Sequence, residues 1–221
     1  SLCLKALIVV TGILGVILTV TGKGALSGPE KFLYFTIHSN IYAIILAIVG
    51  LILSMIRIIK DIHLNSRVYY IFKFVGVISI SLTGIVFCSI LAPLNPNVAF
   101  TFEHILTHVV VPITCITDFL IDERNNKLKH VDLLYPPIFP VAYFIFASIA
   151  YACNVDFGGG VNYPYFFLNW GSPAGAFGFS KEAPFIGVVY WVIVLLIVIL
   201  LLEILYIKLS WLLNKKKISD C

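Results

Sequence analysis

Two short stretches hold the residues best able to do chemistry. FLYFTIHSN carries Thr36, Ser39 and Asn40, and FTFEHILTHVVVPITCITDFLID, Phe100 to Asp122, carries Glu103, His104, His108 and Asp118. A threonine hydroxyl is a weak nucleophile until a base takes its proton, and a neutral imidazole can do so. In a site short of water, an amide such as that of Asn40 can steady an oxyanion. Thr36 as nucleophile, His108 or His104 as base and Asn40 as orienter thus make an acyl-transfer set. The second stretch is also apolar enough to cross a bilayer, where each Asp, Lys or Arg at mid-depth costs roughly 2.5–3.5 kcal/mol or more. Four ionisable groups in one such run point to a site. At about 100° per residue, His104, His108, Val111, Cys115 and Asp118 share one stripe, which must face protein or water.

The same residues support plainer or different readings. An intramembrane threonine often bonds its own backbone one turn back. Asp118 lies near the inner boundary, where it can cap toward water or meet Arg57 or Arg124. Glu203 is expected to pair with a basic residue or to reach the inner interface. His104 and His108 have the i, i+4 spacing of two ligands to one metal, but HExxH order and a third ligand are missing. Haem needs paired histidines on facing helices, and His38 points away from the Thr36 stripe. No metal and no cofactor are therefore expected. Glu103, Asp118 and Glu203 are the relay groups a proton-coupled transporter would use, although the chain lacks two related halves.

These residues need helices to hold them. The chain has 221 residues, of which 60% are hydrophobic and 12% charged, against about 25% charged in a soluble domain. That composition predicts an all-α integral membrane domain. About 20 residues make a span, and the hydropathy pattern predicts six, near 4–22, 31–59, 69–94, 101–121, 134–153 and 184–213. The first is too long for a signal-peptide core of roughly 7–15 residues and reads as a retained span. The net charge of +4 is spread over span ends, so no nucleic-acid partner is expected. Cys88 and Cys153 fall near one face, where one disulfide is conceivable.

Lysine and arginine set the orientation. With the N-terminus inside, Lys5, Arg57, Lys60, Arg67, Lys73, Arg124, Lys127, Lys129, Lys208 and Lys215 to Lys217 collect on the inner side. Only Lys23, Lys31 and Lys181 lie outside. Both termini are thus expected in the cytoplasm. Spans two and four then enter from outside and bring Thr36, Asn40, His104 and His108 to one level. The Gly- and aromatic-rich loop 154–181 lies on that side and can cap them. Thr36, Asn40, Ala43, Ala47, Gly50 and Ser54 share a face of span two, and small residues there permit close helix approach.

Three segments carry a likeness to a known family. FLYFTIHSN, THVVVPI and YPYFFLN resemble the three signatures of the androgen-induced-protein family, six-span hydrolases of fatty-acid esters of hydroxy fatty acids. The bacterial-type relatives match best, through Thr36, Ser39 and Asn40, through His108, Pro112 and Asp118, and through Tyr163, Pro164, Tyr165, Phe167 and Leu168. Asn169 stands where the family has an acid, and Phe166 where it has a second proline. The resemblance implies a Thr nucleophile and a His base with no metal. His108 fits the bacterial spacing and His104 lies one turn away. The expectation is a lipid-ester hydrolase in the plasma or inner membrane of a bacterium, or in a eukaryotic plasma membrane or endomembrane. The alternatives are a proton-coupled small-molecule transporter and a non-enzymatic polytopic protein.

Overall fold

The computed structural model describes residues 2–22, 27–61, 66–122 and 128–219. Six helices in it are long and apolar enough to cross a membrane: α1 (Leu2–Thr21), α2 (Phe35–Lys60), α3 (Arg67–Leu94), α4 (Phe102–Ile121), α5 (His130–Ala152) and α6 (Val188–Leu212). The chain is an all-α, multi-pass integral membrane protein. α3 and α4 are 61% and 56% buried, against 22–28% for the other four, so these two form the middle of the bundle. The outer helices leave apolar faces such as Ile45, Ile52, Ile145, Ile149 and Leu201 exposed, as lipid-facing surfaces require.

Small residues set the helix spacing. A Cβ on Gly12 would sit 2.7 Å from the Ile44 side chain, and one on Gly15 would sit 2.8 Å from that of Thr107. α1 therefore lies directly on α2 and α4, as small-residue faces allow. The α2 stripe takes part, with Ala43 and Ala47 packed in a buried cluster with Ile8, Ile80 and Val111.

Two spans start later than hydropathy suggests. Pro29–Leu33 forms a separate 3₁₀ turn, Tyr34 is extended, and α2 begins at Phe35. Tyr34 is held in that bend by its own hydroxyl, which donates to the Phe157 carbonyl at 3.0 Å. The sixth helix begins at Val188 and not at Pro184. The residues before it spend their backbone groups on the preceding loop, through Ser180 N–H to Phe185 O at 2.8 Å and Gly187 N–H to Gly178 O at 2.9 Å.

At one end of the bundle four helices meet around a buried ion cluster. The Lys5 ammonium lies 2.9 Å from Asp118 Oδ1, and that of Lys73 lies 2.8 Å from Oδ2. Lys5 is fully buried, Asp118 nearly so, and Lys73 almost as deep. A Cβ on Gly50 would strike the Tyr69 hydroxyl and the Lys5 stem. The start of α1, the late part of α2, the start of α3 and the end of α4 thus share one level, which makes the first four helices alternate in direction. Among the described residues Asp118 takes two lysines of other spans and not Arg57, and the other expected partner, Arg124, lies outside the described residues. A lysine stem crosses apolar surface easily, so both reach inward to an anion that needs them.

Two further expectations change. Glu203 is 1% exposed, and its Oε1 has no hydrogen-bond partner among the described residues, so no base satisfies that oxygen there. Cys88 and Cys153 are free, exposed thiols.

Removing one member of a buried ion pair costs about 3–5 kcal/mol, because the other charge stays buried. At about 2–4 °C per kcal/mol for a chain of this size, Asp118→Asn is expected to unfold at least 6 °C lower than wild type in detergent thermal scans. An unchanged midpoint would show that the lysines do not depend on this carboxylate.

Candidate functional site

The other end of the bundle holds the residues singled out for chemistry. Thr36 sits in the first turn of α2, where backbone N–H groups have no partner within the helix. Its N–H donates to the Tyr165 hydroxyl oxygen at 3.2 Å, and its Oγ1 lies 3.3 Å from that same oxygen. Tyr165 belongs to the loop between α5 and α6, so a phenol from outside the spans caps the helix that carries the threonine. The N–H occupies a lone pair of that phenol, and the Tyr165 hydrogen remains to be donated. Burial pushes the Tyr165 phenol above its ordinary value, while its hydrogen bonds to Thr36 pull it back in part. It is therefore a neutral donor near pH 7.

Tyr165 is held by stacking. Its ring lies parallel to Phe167 at 5.1 Å and edge-on to Tyr34 at 5.5 Å. Tyr143 of α5 stands 6.4 Å away and donates its own hydroxyl to Leu33 O at 3.0 Å. Tyr165 and Phe167 of the aromatic stretch after α5 are thus packed into the bundle.

The histidines owe their placement to a proline. α4 widens into a π turn over Leu106–Val110, in which Val111 N–H reaches back to Leu106 O. The next residue, Pro112, has no N–H to give, and an α-helical proline clashes with the carbonyl four residues back. The π turn absorbs that conflict, as such bulges do, often at functional sites. α3 repeats the device: a π turn over Phe87–Leu91 ends with Ala92 N–H on Phe87 O, just ahead of Pro93. The two wide turns meet, with Phe87 stacked on His108 at 3.8 Å between ring centroids.

That stack fixes the imidazole plane, and hydrogen bonds fix its tautomer. His108 Nδ1 lies 3.1 Å from the His104 carbonyl and 3.0 Å from Thr107 Oγ1. A carbonyl only accepts, and the Thr107 hydroxyl already donates to Glu103 O at 2.9 Å. The hydrogen therefore sits on Nδ1 and the lone pair on Nε2, the form a base requires. His104 is held differently, with Nδ1 3.1 Å from Thr101 Oγ1.

Asn40 does not serve as an oxyanion donor here. Its Nδ2 donates to Thr36 O at 2.8 Å and to Thr107 O at 3.1 Å, which commits both amide hydrogens. The second acceptor is the carbonyl that faces Pro112 in the π ladder. Asn40 thus links the threonine helix to the histidine helix. Its Oδ1 is buried without a partner among the described residues. Ser39 reinforces the joint by hydrogen bonds to Thr36 O at 3.0 Å and to Thr83 of α3 at 2.8 Å.

Thr36, His104 and His108 line one cavity of about 270 Å³, together with Lys31, Tyr34, Asn95 and Tyr165. A second, narrower pocket of about 80 Å³ is almost wholly apolar and includes Leu82, Val86, Phe144, Leu195 and Ile199. Thr36, Leu91 and Tyr165 line both. The threonine therefore stands where a chamber that holds the histidines and Lys31 meets a greasy slot.

The structure gathers Thr36, His104 and His108, keeps Asn40 beside them as a tie, and sets Asp118 in the ion cluster at the other end. His38 packs edge-on against Tyr143 at 5.6 Å and does not line the chamber. The carboxyl, imidazole and thiol groups of the described residues form no cluster of three that could hold a metal ion. Tyr165, named in the sequence only within a family-like segment, and Lys31, named only as an outer lysine, are members to which sequence reasoning gave no role at the site. In comparisons with known proteins, no family model, no curated protein and no solved structure matches this chain.

Losing a helix cap costs about 0.5–2 kcal/mol. Tyr165→Phe is expected to lose stability in that range by denaturant unfolding, with helical content unchanged by circular dichroism. A loss near zero would show that Thr36 N–H finds another acceptor.

Proposed function

We propose that this protein is an intramembrane hydrolase of lipid esters, with Thr36 as nucleophile and His108 as general base. The observation that carries the reading is the shared lining: hydroxyl and imidazoles face one chamber, and the same hydroxyl borders an apolar slot suited to an acyl chain. The likeness of three segments to the androgen-induced-protein family supports it and belongs to the same proposal.

In the first step Thr36 Oγ attacks the acyl carbonyl carbon while His108 Nε2 takes the hydroxyl proton. The C–O bond to the alcohol breaks, and His108 returns the proton to the departing oxygen. Water, deprotonated in turn by His108, then attacks the acyl carbon; the bond to Thr36 Oγ breaks, His108 returns the proton to that oxygen, and the fatty acid leaves. The oxyanion of each step forms beside the N-terminus of a 26-residue helix, whose dipole favours negative charge. Tyr165 supplies a further donor there, and preorganised donors of this kind are worth about 2.7–4 kcal/mol each. An entry from the outer leaflet, with both termini in the cytoplasm, completes the proposal.

Thr36→Ala is expected to abolish turnover of fluorescent acyl esters and labelling by a fluorophosphonate probe, with Thr36→Ser retaining both. His108→Ala should lower kcat by about 10²–10⁴-fold, the usual share of a general base, and His104→Ala by much less. Activity that persists in Thr36→Ala would remove the nucleophile.

The buried Lys5–Asp118–Lys73 cluster favours one other reading, proton-coupled transport, since intramembrane charges often mark ion paths. A proton flux in liposomes that survives Thr36→Ala and dies with Asp118→Asn would replace the hydrolase.

A further inference from the structure

The chamber that holds Thr36 and the histidines contains one feature that ester hydrolysis does not use. Lys31, from the 3₁₀ turn before α2, lines it together with Thr36 and the histidines. Lys31 is only 9% exposed. A lysine ammonium has three hydrogens to donate, and at this depth each needs an acceptor. Among the described residues its polar neighbours are the Tyr34 hydroxyl at 3.3 Å and the Glu30 carboxylate at 3.6 Å. Charge-assisted N–H···O contacts normally close to about 2.7–2.9 Å, so neither partner is fully engaged. The ring of Tyr34 adds a cation–π contact at 4.5 Å, which steadies the charge without accepting a directed hydrogen bond.

Glu30 stands at ion-pair range from Lys31. Its side chain is wedged against two glycines: a Cβ on Gly28 would lie 2.4 Å from its carboxylate oxygens, and one on Gly158 would lie 3.0 Å from its Cγ. Both glycines have positive φ, at 145° and 116°, which other residues rarely adopt. The carboxylate thus makes only a long ion pair with Lys31, and the ammonium keeps capacity for a closer acceptor in the chamber that Lys31 lines.

We propose that Lys31 is the specificity-determining residue of this chamber. The ligand it selects is an amphiphile with a carboxylate or phosphate on its polar part and an apolar chain directed into the adjoining slot. The assignment rests on the reading of this chamber as the substrate site, and it concerns which molecule is held, not how the ester is cleaved. The chamber of about 270 Å³ is near the lower bound of roughly 300 Å³ for small-molecule sites. It thus suits a headgroup and not a whole lipid. An ester without an anionic group would bury the lysine against an uncharged surface and forfeit the pairing.

The test is a binding titration on the full chain in uncharged detergent, with cis-parinaric acid and its alcohol as fluorescent probes in mildly alkaline buffer. Wild type is expected to hold the acid at least roughly tenfold more tightly than the alcohol, about 1.4 kcal/mol. Lys31→Met should bring the acid to within about twofold of the alcohol and leave the alcohol unchanged, while Lys31→Arg keeps the preference. Displacement of the acid by inorganic phosphate would assign the site to anions in general, and failure to displace would assign it to amphiphile headgroups. Equal binding of the two probes by wild type overturns the proposal, as does a preference that survives Lys31→Met. If Lys31→Met does not fold, the wild-type ratio alone decides. Repeating the titration in Thr36→Ala separates the two readings. Acid selectivity there, with no ester turnover in wild type, keeps Lys31 and removes the hydrolase. Turnover without acid selectivity does the reverse.

Discussion

Asp118 takes two lysines at once, each from a different helix and each below the reach of solvent. Inside a bilayer such an arrangement has one stable register. If α1 slides by a turn relative to α4, an ammonium and a carboxylate each lose a partner in a medium that solvates neither. Van der Waals packing of small residues, the usual tie between membrane helices, tolerates sliding far better. The ion cluster thus pins α1, α3 and α4 along their axes. With those axes fixed, the opposite ends of the same helices bring Gly15 under Thr107 and Phe87 over His108. The histidine side of the chamber thus inherits its alignment from a contact roughly three helical turns away, about 15 Å along α4.

The second constraint is local. Two prolines, Pro93 and Pro112, each follow a π turn by two residues. A straight α4 would leave the Thr107 carbonyl in an ordinary ladder and turn His108 by a different angle. The widened turn hands that carbonyl to Asn40 and presents the imidazole to Phe87. The joint between α2 and α4 is therefore built from a missing N–H, an amide that fills the gap, and a ring stack.

How much of this was legible beforehand differs by residue. The six spans follow from hydropathy, because 18 or more apolar residues have few other uses. The common level of Thr36 and the histidines follows from alternating entry of successive spans. Lys5 and Lys73 read as boundary lysines, since a snorkelling lysine and a paired one have the same sequence context. Only their distance from Asp118 tells them apart. Tyr165 sat inside an aromatic run that suits a membrane interface equally well; its hydroxyl becomes informative once α2 is seen to begin at Phe35. Pro112 was visible in the chain, and its effect on the phase of the stripe was not, because a 100° projection assumes an unbroken ladder. Asn40 shows the same limit. Its type suits an oxyanion donor, but its hydrogens are already spent on two carbonyls.

One feature has a bearing on how the molecule comes into being. The phenol that finishes the amino end of α2 arrives from a loop made about 130 residues later, after α5 has been threaded. Until then the ribosome has produced five spans in which the amino end of α2 stays uncapped and the chamber lacks the wall that Tyr165 supplies. The chamber cannot close around a ligand in a half-made chain, so binding waits for the last loop to be made.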